Sequence, residues 1–314
     1  MKLPLLNMKL NAKTKEIEEF LSQHPSLRNI PLSRTLSQPL ISIVMPSFNQ
    51  VKYIEKSILS VLNQDYPYIE LIVIDGGSSD GTLDILKKYE KYLTYWYFGP
   101  DAGQSDALNH GFSKASGDIY GWMNSDDLYL PGAFKKISNK FLTDESASVV
   151  FGDFWSIDGN DKLIFENYSF DFNLFHFVYE GFHLNVQAMF WRKEVYDRFG
   201  NFDIQLHRTM DYDFIIRLGL IEGKKSFKRI AQPLACFRRH NEQKTRLYKE
   251  DEDLGYDPIV RKEHRIIANK CGFNNKYLWY GRVFRFYYRF RRAYWYAKRG
   301  GIIYLYNRIL RREV

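Results

Sequence analysis

Two adjacent carboxylates, Asp126 and Asp127, close the segment Trp122-Met123-Asn124-Ser125-Asp126-Asp127. The apolar run before them, Ile119 to Met123, reads as a buried strand. The acids then fall at the strand's carboxyl end, where open α/β sheets bind their ligands. Paired acids there suit a hard divalent cation, Mn2+ or Mg2+, which takes one or two carboxylates and completes its shell with water and substrate phosphates. The chemistry implied is the handling of a diphosphate. A solvated turn ahead of Pro131-Gly132 competes as an explanation, and the upstream residues weigh against it.

Those residues form alternating strands and helices. Leu40 to Met45 is a strand pattern closed by Pro46 and followed by Ser47-Phe48-Asn49-Gln50. Tyr53 to Gln64 carries Ile54, Ile58, Val61 and Leu62, the spacing of a helix with one face on a sheet. Glu70 to Ile74 is a nearly continuous apolar run, as in a parallel strand covered on both faces. It ends in Asp75-Gly76-Gly77-Ser78-Ser79-Asp80-Gly81-Thr82, where another helix starts. This order predicts a doubly wound α/β sheet with its polar turns on one edge. The Asp75 loop lacks the Gly-x-Gly-x-x-Gly spacing of a dinucleotide site. A carboxylate there can accept from a uracil imide or ribose hydroxyls and would repel a pyrophosphate, which places Asp75 under a nucleoside. The alternative is an Asx turn or helix cap made by Asp75, Ser78 or Asp80.

A third block, Asp101-Ala102-Gly103-Gln104-Ser105-Asp106-Ala107-Leu108-Asn109-His110-Gly111, leads to the acid pair. In the order Met-Pro-Ser-Phe-Asn, Ile-Asp-Gly-Gly-Ser-Ser-Asp-Gly-Thr, this block and Asn-Ser-Asp-Asp, the chain from about Leu40 to Arg246 resembles the family 2 inverting glycosyltransferases of the GT-A fold. The resemblance implies a Rossmann-like, mostly parallel central sheet flanked by helices. It also implies transfer of a sugar from a nucleotide-diphosphate donor, with UDP favoured by family habit, to a hydroxyl, aided by Mn2+ or Mg2+. Phe48 and Asn49, with the backbone near Pro46, would flank the base, and Asp75 would bind base or ribose. Asp106 and Asn109 would line the nucleotide pocket, unless Asn109 ties down its loop. Asp126 matches the metal-binding acid of the family's Asp-x-Asp element, whose first acid is here Asn124. Asn124 or Ser125 would touch the ribose, and Asp127 would support the metal from behind or through water.

An inverting transfer needs a general base for the acceptor hydroxyl. The candidates are Asp211 and Asp213. Residues 211, 214, 218 and 221 share one helical face, so Asp211 points with the core, while Asp213 stands four residues before Arg217 as an exposed ion pair. The family's Glu-Asp is here Met210-Asp211, so the base carries over without its acidic neighbour. N-capping of the helix is the other reading of Asp211. Arg238-Arg239-His240 resembles the family's Arg-x-His segment, in which His240 would reach the cation or the β-phosphate and Arg238 or Arg239 the diphosphate. His183 and Gln187 are weaker candidates on the acceptor side.

The 314 residues divide into an extension over 1–39, a glycosyltransferase-like domain over 40–250, with a nucleotide half at 40–130 and an acceptor half at 131–250, and a basic-aromatic helical region over 251–314. Ile17, Phe20 and Leu21 mark a short packing helix in the extension. Two separated cysteines indicate neither a disulfide framework nor a thiolate metal site. No apolar run suits a signal peptide or a spanning helix, which predicts a cytoplasmic protein. Residues 276–314 hold eleven Lys or Arg against Glu313, a net of +10, whereas the rest of the chain carries −2. Interleaved aromatics make this tail a candidate for docking on the anionic inner face of the cell membrane, the competing arrangement being a helical pair folded on the domain. No nucleic-acid motif accompanies it. Spanning helices and the Gln-x-x-Arg-Trp element of processive synthases are absent, so the expectation is a non-processive hexosyltransferase acting on a glycan or lipid-linked acceptor in cell-envelope polysaccharide synthesis. The alternative from another class is a nucleotide-sugar-binding scaffold without turnover.

Overall fold

The computed structural model describes residues 3–25, 38–180, 184–243, 258–272 and 276–310. In chain order the elements are α1 (Leu3–Leu21), β1 (Ile41–Ser47), α2 (Ile54–Leu62), β2 (Ile69–Asp75), α3 (Thr82–Tyr89), β3 (Tyr95–Phe98), α4 (Gln104–Lys114), β4 (Ile119–Trp122), β5 (Leu128–Tyr129) and α5 (Ala133–Thr143). They continue with β6 (Val149–Asp158), β7 (Leu163–Asn167), α6 (Leu174–Glu180), β8 (Met189–Arg192), α7 (Lys193–Phe199), α8 (Met210–Ser226), β9 (Phe227–Arg239), α9 (Pro258–Lys270) and α10 (Lys276–Leu310).

The nine strands form one sheet in the order β3-β2-β1-β4-β8-β6-β9-β5, with β7 beside β6. Strands β1 to β4 are parallel, β8 runs antiparallel to both β4 and β6, and β9 is parallel to β6. Both β1 and β2 are buried along their whole length, as helices on both faces require. Alternate side chains feed two cores: Val44, Ile72 and Ile74 face one, and Ile43, Met45, Leu71 and Val73 the other. Chain order reverses at β1, which pairs with β2 on one side and β4 on the other. Such a reversal opens a crevice at the carboxyl ends of the two strands, here Ser47–Asn49 and Asn124–Asp127.

Pro46 does not end β1, which runs on to Ser47. Pairing with β4 stops at Val44 opposite Trp122, so beyond it Pro46 has only β2 as neighbour and no ladder on the β4 side needs its missing N–H. Gly111 lets α4 press onto β1, since a Cβ there would lie 2.3 Å from Val44 Cγ1. That approach sets the first turn of α4 over the crevice.

Helix α1 is a packing arm: Ile17, Phe20 and Leu21 bury against Leu128, Leu130, Trp155, Ile157 and Leu163. In α8 the expected core face holds for Phe214 and Leu218 but fails at Ile221, which is 64% exposed. The helix leaves the core there, shortly before Gly223 breaks it at φ 67°. Helix α10 lies on the domain through one face. Trp295 Nε1 donates to Ser169 O at 3.0 Å, Arg299 pairs with Asp153 at 2.8 Å, and Tyr288 and Tyr296 are buried. Phe286, Phe290 and Tyr294 point outward.

Candidate active site

The acid turn is held from below by α2. Ser57 Oγ lies 2.9 Å from Ser125 O and 2.7 Å from Asp127 O, Ser60 Oγ accepts from Tyr129 N at 3.1 Å, and Gln64 Nε2 donates to Leu130 O at 2.9 Å. Buried backbone groups need partners, and these three side chains supply them where the chain leaves β4. Sequence reasoning missed them. The signal was available: Ser57 and Ser60 are polar residues on the apolar face of α2, and Gln64, two residues past its end, continues that face.

Asn124 Oδ1 accepts from Trp122 Nε1 and from Gln104 Nε2, each at 2.8 Å. Because an indole can only donate, the amide oxygen must face it, which leaves the amide nitrogen to donate toward Asp127 Oδ2 at 3.4 Å. Asp127 is fully buried and accepts from Arg238 N at 2.8 Å. Burial first, and the Asp126 charge second, push its carboxyl well above the usual carboxylate range, against the pull of Arg238. Asp127 thus ties the turn to β9 from behind Asp126. The neutral residue at 124 has a physical reason: an acid would set a second charge against it.

Asp126 is the turn's accessible acid. Its Oδ2 meets His240 Nε2 at 2.9 Å, and its carbonyl accepts from Arg238 Nε at 2.6 Å. The His240 ring packs on Tyr53 with centroids 4.5 Å apart, and the Arg238 guanidinium lies 4.8 Å from the same ring. Arg238 is fully buried and ion-paired with Asp161, which Lys56 also contacts. The Arg239 side chain stands apart from this group. Strand alternation sends its side chain to the face opposite Arg238 and His240, where it lies 4.7 Å from the Phe165 ring. Among the described residues no group of three or more His, Cys, Asp or Glu is placed to hold a metal ion. Asp126 and His240 are the carboxylate and imidazole that could hold a cation, an O,N pair of the kind that suits Mn2+ when substrate oxygens and water fill the other positions.

On the nucleotide side Phe48 is 60% exposed beside the crevice. Asn49 sits at φ 53°, and its Oδ1 accepts from Ser79 N at 2.9 Å. Asp75 is fully buried, with Oδ1 accepting from Gly77 N and Ser78 N, at 3.1 and 2.8 Å, and Oδ2 from Ser78 Oγ at 2.7 Å. The Asx-turn alternative describes it, and its carboxylate serves the loop. Asn109, within α4, ties down the segment at Phe202: Nδ2 donates to Phe202 O at 2.9 Å and Oδ1 accepts from Phe202 N at 2.7 Å. Ser125 is buried under the turn, Pro46 lies within β1, and Asp106 accepts from Ala102 N at 3.0 Å. A residue without an assigned role, Asp101, accepts from Gly103 N at 2.8 Å and packs on Gly76, whose added Cβ would lie 2.9 Å from Asp101 Oδ2. Burial and its neighbours Asp106 and Asp75 raise its carboxyl.

Asp211 lies in the first turn of α8, behind the N-cap Thr209, and its Oδ1 accepts from Tyr212 N at 2.8 Å. Asp213 is corrected from an exposed acid to a fully buried one, paired with Arg217 Nε at 2.7 Å and 3.5 Å from Lys270 Nζ. Arg217 also donates to Phe199 O and Asn201 O, so the pair is a structural clamp. The first turn of α4 joins the two halves: Gln104 binds Asn124, and Ser105 Oγ donates to Leu206 O at 3.3 Å in the segment entering α8. His183 falls outside the described residues, and Gln187 is buried.

The model of glycosyl transferase family 2 matches residues 42–200. The chain belongs to that family. An uncharacterised glycosyltransferase of Mycobacterium tuberculosis is 30% identical over 59% of this chain and 71% of its own length. TuaG of Bacillus subtilis, named for teichuronic acid biosynthesis, is 34% identical over 36% of this chain and 46% of its own. The chain spans 57% and 59% of two similar rickettsial glycosyltransferases, from Rickettsia typhi and Rickettsia prowazekii. Among solved structures, S. aureus TarS 1–349 in complex with UDP-GlcNAc has a TM-score of 0.54 at 19% identity, over 65% of this chain and 60% of that one, a likeness of fold. The α/β sheet with flanking helices is thus the GT-A fold of a family 2 member. Its matched segment holds the acid turn and ends before Asp211.

Proposed function

We propose that this family 2 member is a metal-dependent inverting glycosyltransferase that moves a hexose, non-processively, from a UDP-sugar to a hydroxyl in the synthesis of a polysaccharide or lipid-linked glycan. The observation that carries the reading is the Asp126–His240 pair at the carboxyl end of β4, joined through the first turn of α4 to the segment bearing Asp211. The name of TuaG and the UDP-GlcNAc of the TarS complex favour a UDP-sugar and an envelope polymer.

Asp126 and His240 would hold the cation, which when bound offsets the charge of the departing diphosphate. Arg238 holds Asp126 by its carbonyl and Asp127 by its carboxylate, so both acids keep their orientation. Phe48 presents a ring face to the base, and the neutral Asn124 keeps a second charge away from Asp127. Asp211 takes the acceptor hydroxyl's proton as that oxygen bonds to the anomeric carbon. The bond from that carbon to the phosphate oxygen breaks on the opposite face, and its electron pair leaves with the nucleoside diphosphate.

The outer stripe of α10 supports membrane docking from the cytoplasmic side. Phe286 (78% exposed), Phe290 (70%) and Tyr294 (61%) follow at i, i+4 and i+8, with Arg289, Arg291 and Arg292 among them. Each basic residue near an anionic surface adds about 1 kcal/mol. No helix among the described residues is long and apolar enough to cross a membrane. The scaffold reading predicts tight UDP binding without turnover. The test is metal-dependent release of UDP from UDP-sugars: it is expected from the wild type and abolished in Asp126→Ala and Asp211→Asn. Turnover insensitive to both substitutions would refute the assignment.

A further inference from the structure

We propose that Glu263, on α9, is the positioning residue of the general base Asp211, an inference that rests on the reading of Asp211 above. Glu263 is 3% exposed, yet its carboxylate is fully engaged. Oε1 accepts from His207 N at 2.8 Å, and Oε2 accepts from Arg208 N at 3.0 Å, Thr209 N at 2.9 Å and Thr209 Oγ1 at 2.8 Å. Three successive backbone N–H groups and a hydroxyl thus converge on one anion, the arrangement of a backbone nest. The nest ends at the N-cap of α8, two residues before Asp211.

The N-cap itself does not supply this contact. Thr209 makes no side-chain bond to the first turn of α8, and its hydroxyl is given to Glu263 instead. Met210, the residue adjoining Asp211, is buried and apolar and offers no acceptor. The remainder of α9 reinforces the clamp. Ile267 is buried in the core that holds Phe214 and Leu218, and Lys270 reaches Asp203 at 3.3 Å and Asp213 at 3.5 Å. Two polar contacts from α9, a carboxylate at the start of α8 and an ammonium one turn along, grip the helix on either side of the base. Leu206, just ahead of the nest, is bound by Ser105 of α4. Glu263 therefore sets where Asp211 stands relative to the nucleotide half. A carboxylate at the positive end of α8 also offsets the helix field that would weaken Asp211 as a base.

The test compares full-length wild type with Glu263→Gln, which keeps the shape and removes the charge. Three readouts are taken: hydrogen exchange of the amides at 207–209, affinity for UDP with Mn2+, and kcat and donor KM for UDP release from UDP-sugars. Loosening the nest should speed exchange at those amides, leave UDP affinity and donor KM unchanged, and lower kcat by about a hundredfold, the cost of a small misplacement of a reacting group. Glu263→Asp, retaining the charge on a shorter arm, should recover part of kcat. A wild-type kcat in Glu263→Gln overturns the proposal, as does parallel loss of UDP affinity and kcat, which would make Glu263 a support of the whole fold. If Asp211→Asn turns over normally, the reading of the base fails first and this inference falls with it, whatever the exchange data show.

Discussion

Replacing Asn124 by Asp restores the acid usual in this family and should harm this protein. The new carboxylate can keep the bonds from Trp122 and Gln104 on one oxygen, but its other oxygen then faces Asp127 Oδ2 at the 3.4 Å now spanned by the amide. At that separation two unit charges repel by about 5 kcal/mol in an effective dielectric near 20. The full figure is an upper bound, because Asp127 already has its carboxyl raised by burial and can take up a proton instead. A loss of about 2–4 kcal/mol at pH 8 is therefore expected, measured as the shift of the first urea transition in EDTA. The sign with pH follows from linkage. A carboxyl raised in the folded state makes the native protein bind the extra proton, so stability falls as pH rises from the unfolded value through the folded one. The variant's deficit should shrink from pH 8 toward pH 5, and Mn2+ should reduce it at pH 8 by drawing charge from Asp126. A variant as stable as wild type at pH 8, or one whose deficit grows on acidification, would refute the reasoning.

Phe48→Ala should weaken UDP binding by roughly 1–3 kcal/mol, the worth of one base stacked on a ring, in calorimetric titration with Mn2+; unchanged affinity would place the base elsewhere. Arg238→Met should cost about 3 kcal/mol of stability, the lower end for removing one member of a buried ion pair because Lys56 still contacts Asp161, and thermal melting reads this directly. Changing Phe286, Phe290 and Tyr294 together to Ser should release the protein from anionic vesicles in a sedimentation assay. UDP release should persist in that variant, because these side chains point away from the domain.

The nucleotide half was legible because its signals are local. An apolar run ending in a polar turn gives strand, edge and site at once, and β1, β2 and β4 lie within a residue or two of the ranges that pattern predicts. Roles that depend on which neighbour a polar atom finds were not. For Asp75 and Asn109 the residue types allowed both a pocket role and a loop tie, and only the structure shows the bonds each makes, to the Asp75 loop's own N–H and hydroxyl groups and to the Phe202 backbone. Arg239 and Arg238 are adjacent in sequence and opposite in direction, a distinction that follows from β9 continuing through both. Asp213 looked like a surface i, i+4 pair because nothing local announces that α9 will cover it.

The same limit explains how the acceptor half is put together. In the nucleotide half the functional residues sit on or just past strand ends, braced there by α2, the first turn of α4 and β9, so the chemistry stays close to the strand that carries it. Beyond residue 200, Asp211 stands in the first turn of a helix rather than at a strand end. Its place is set by side chains from elements far apart in sequence: Ser105 on Leu206, Glu263 on residues 207–209, and Lys270 beside Asp213. Each is a polar contact to backbone or a buried charge, and such contacts lose most of their worth if either end shifts by a fraction of an ångström. Substitutions in α9 should therefore act on turnover more than on donor binding, whereas substitutions in α2 beneath the acid turn should do the reverse. A variant of Ser57 that left donor affinity intact while slowing turnover would contradict this division.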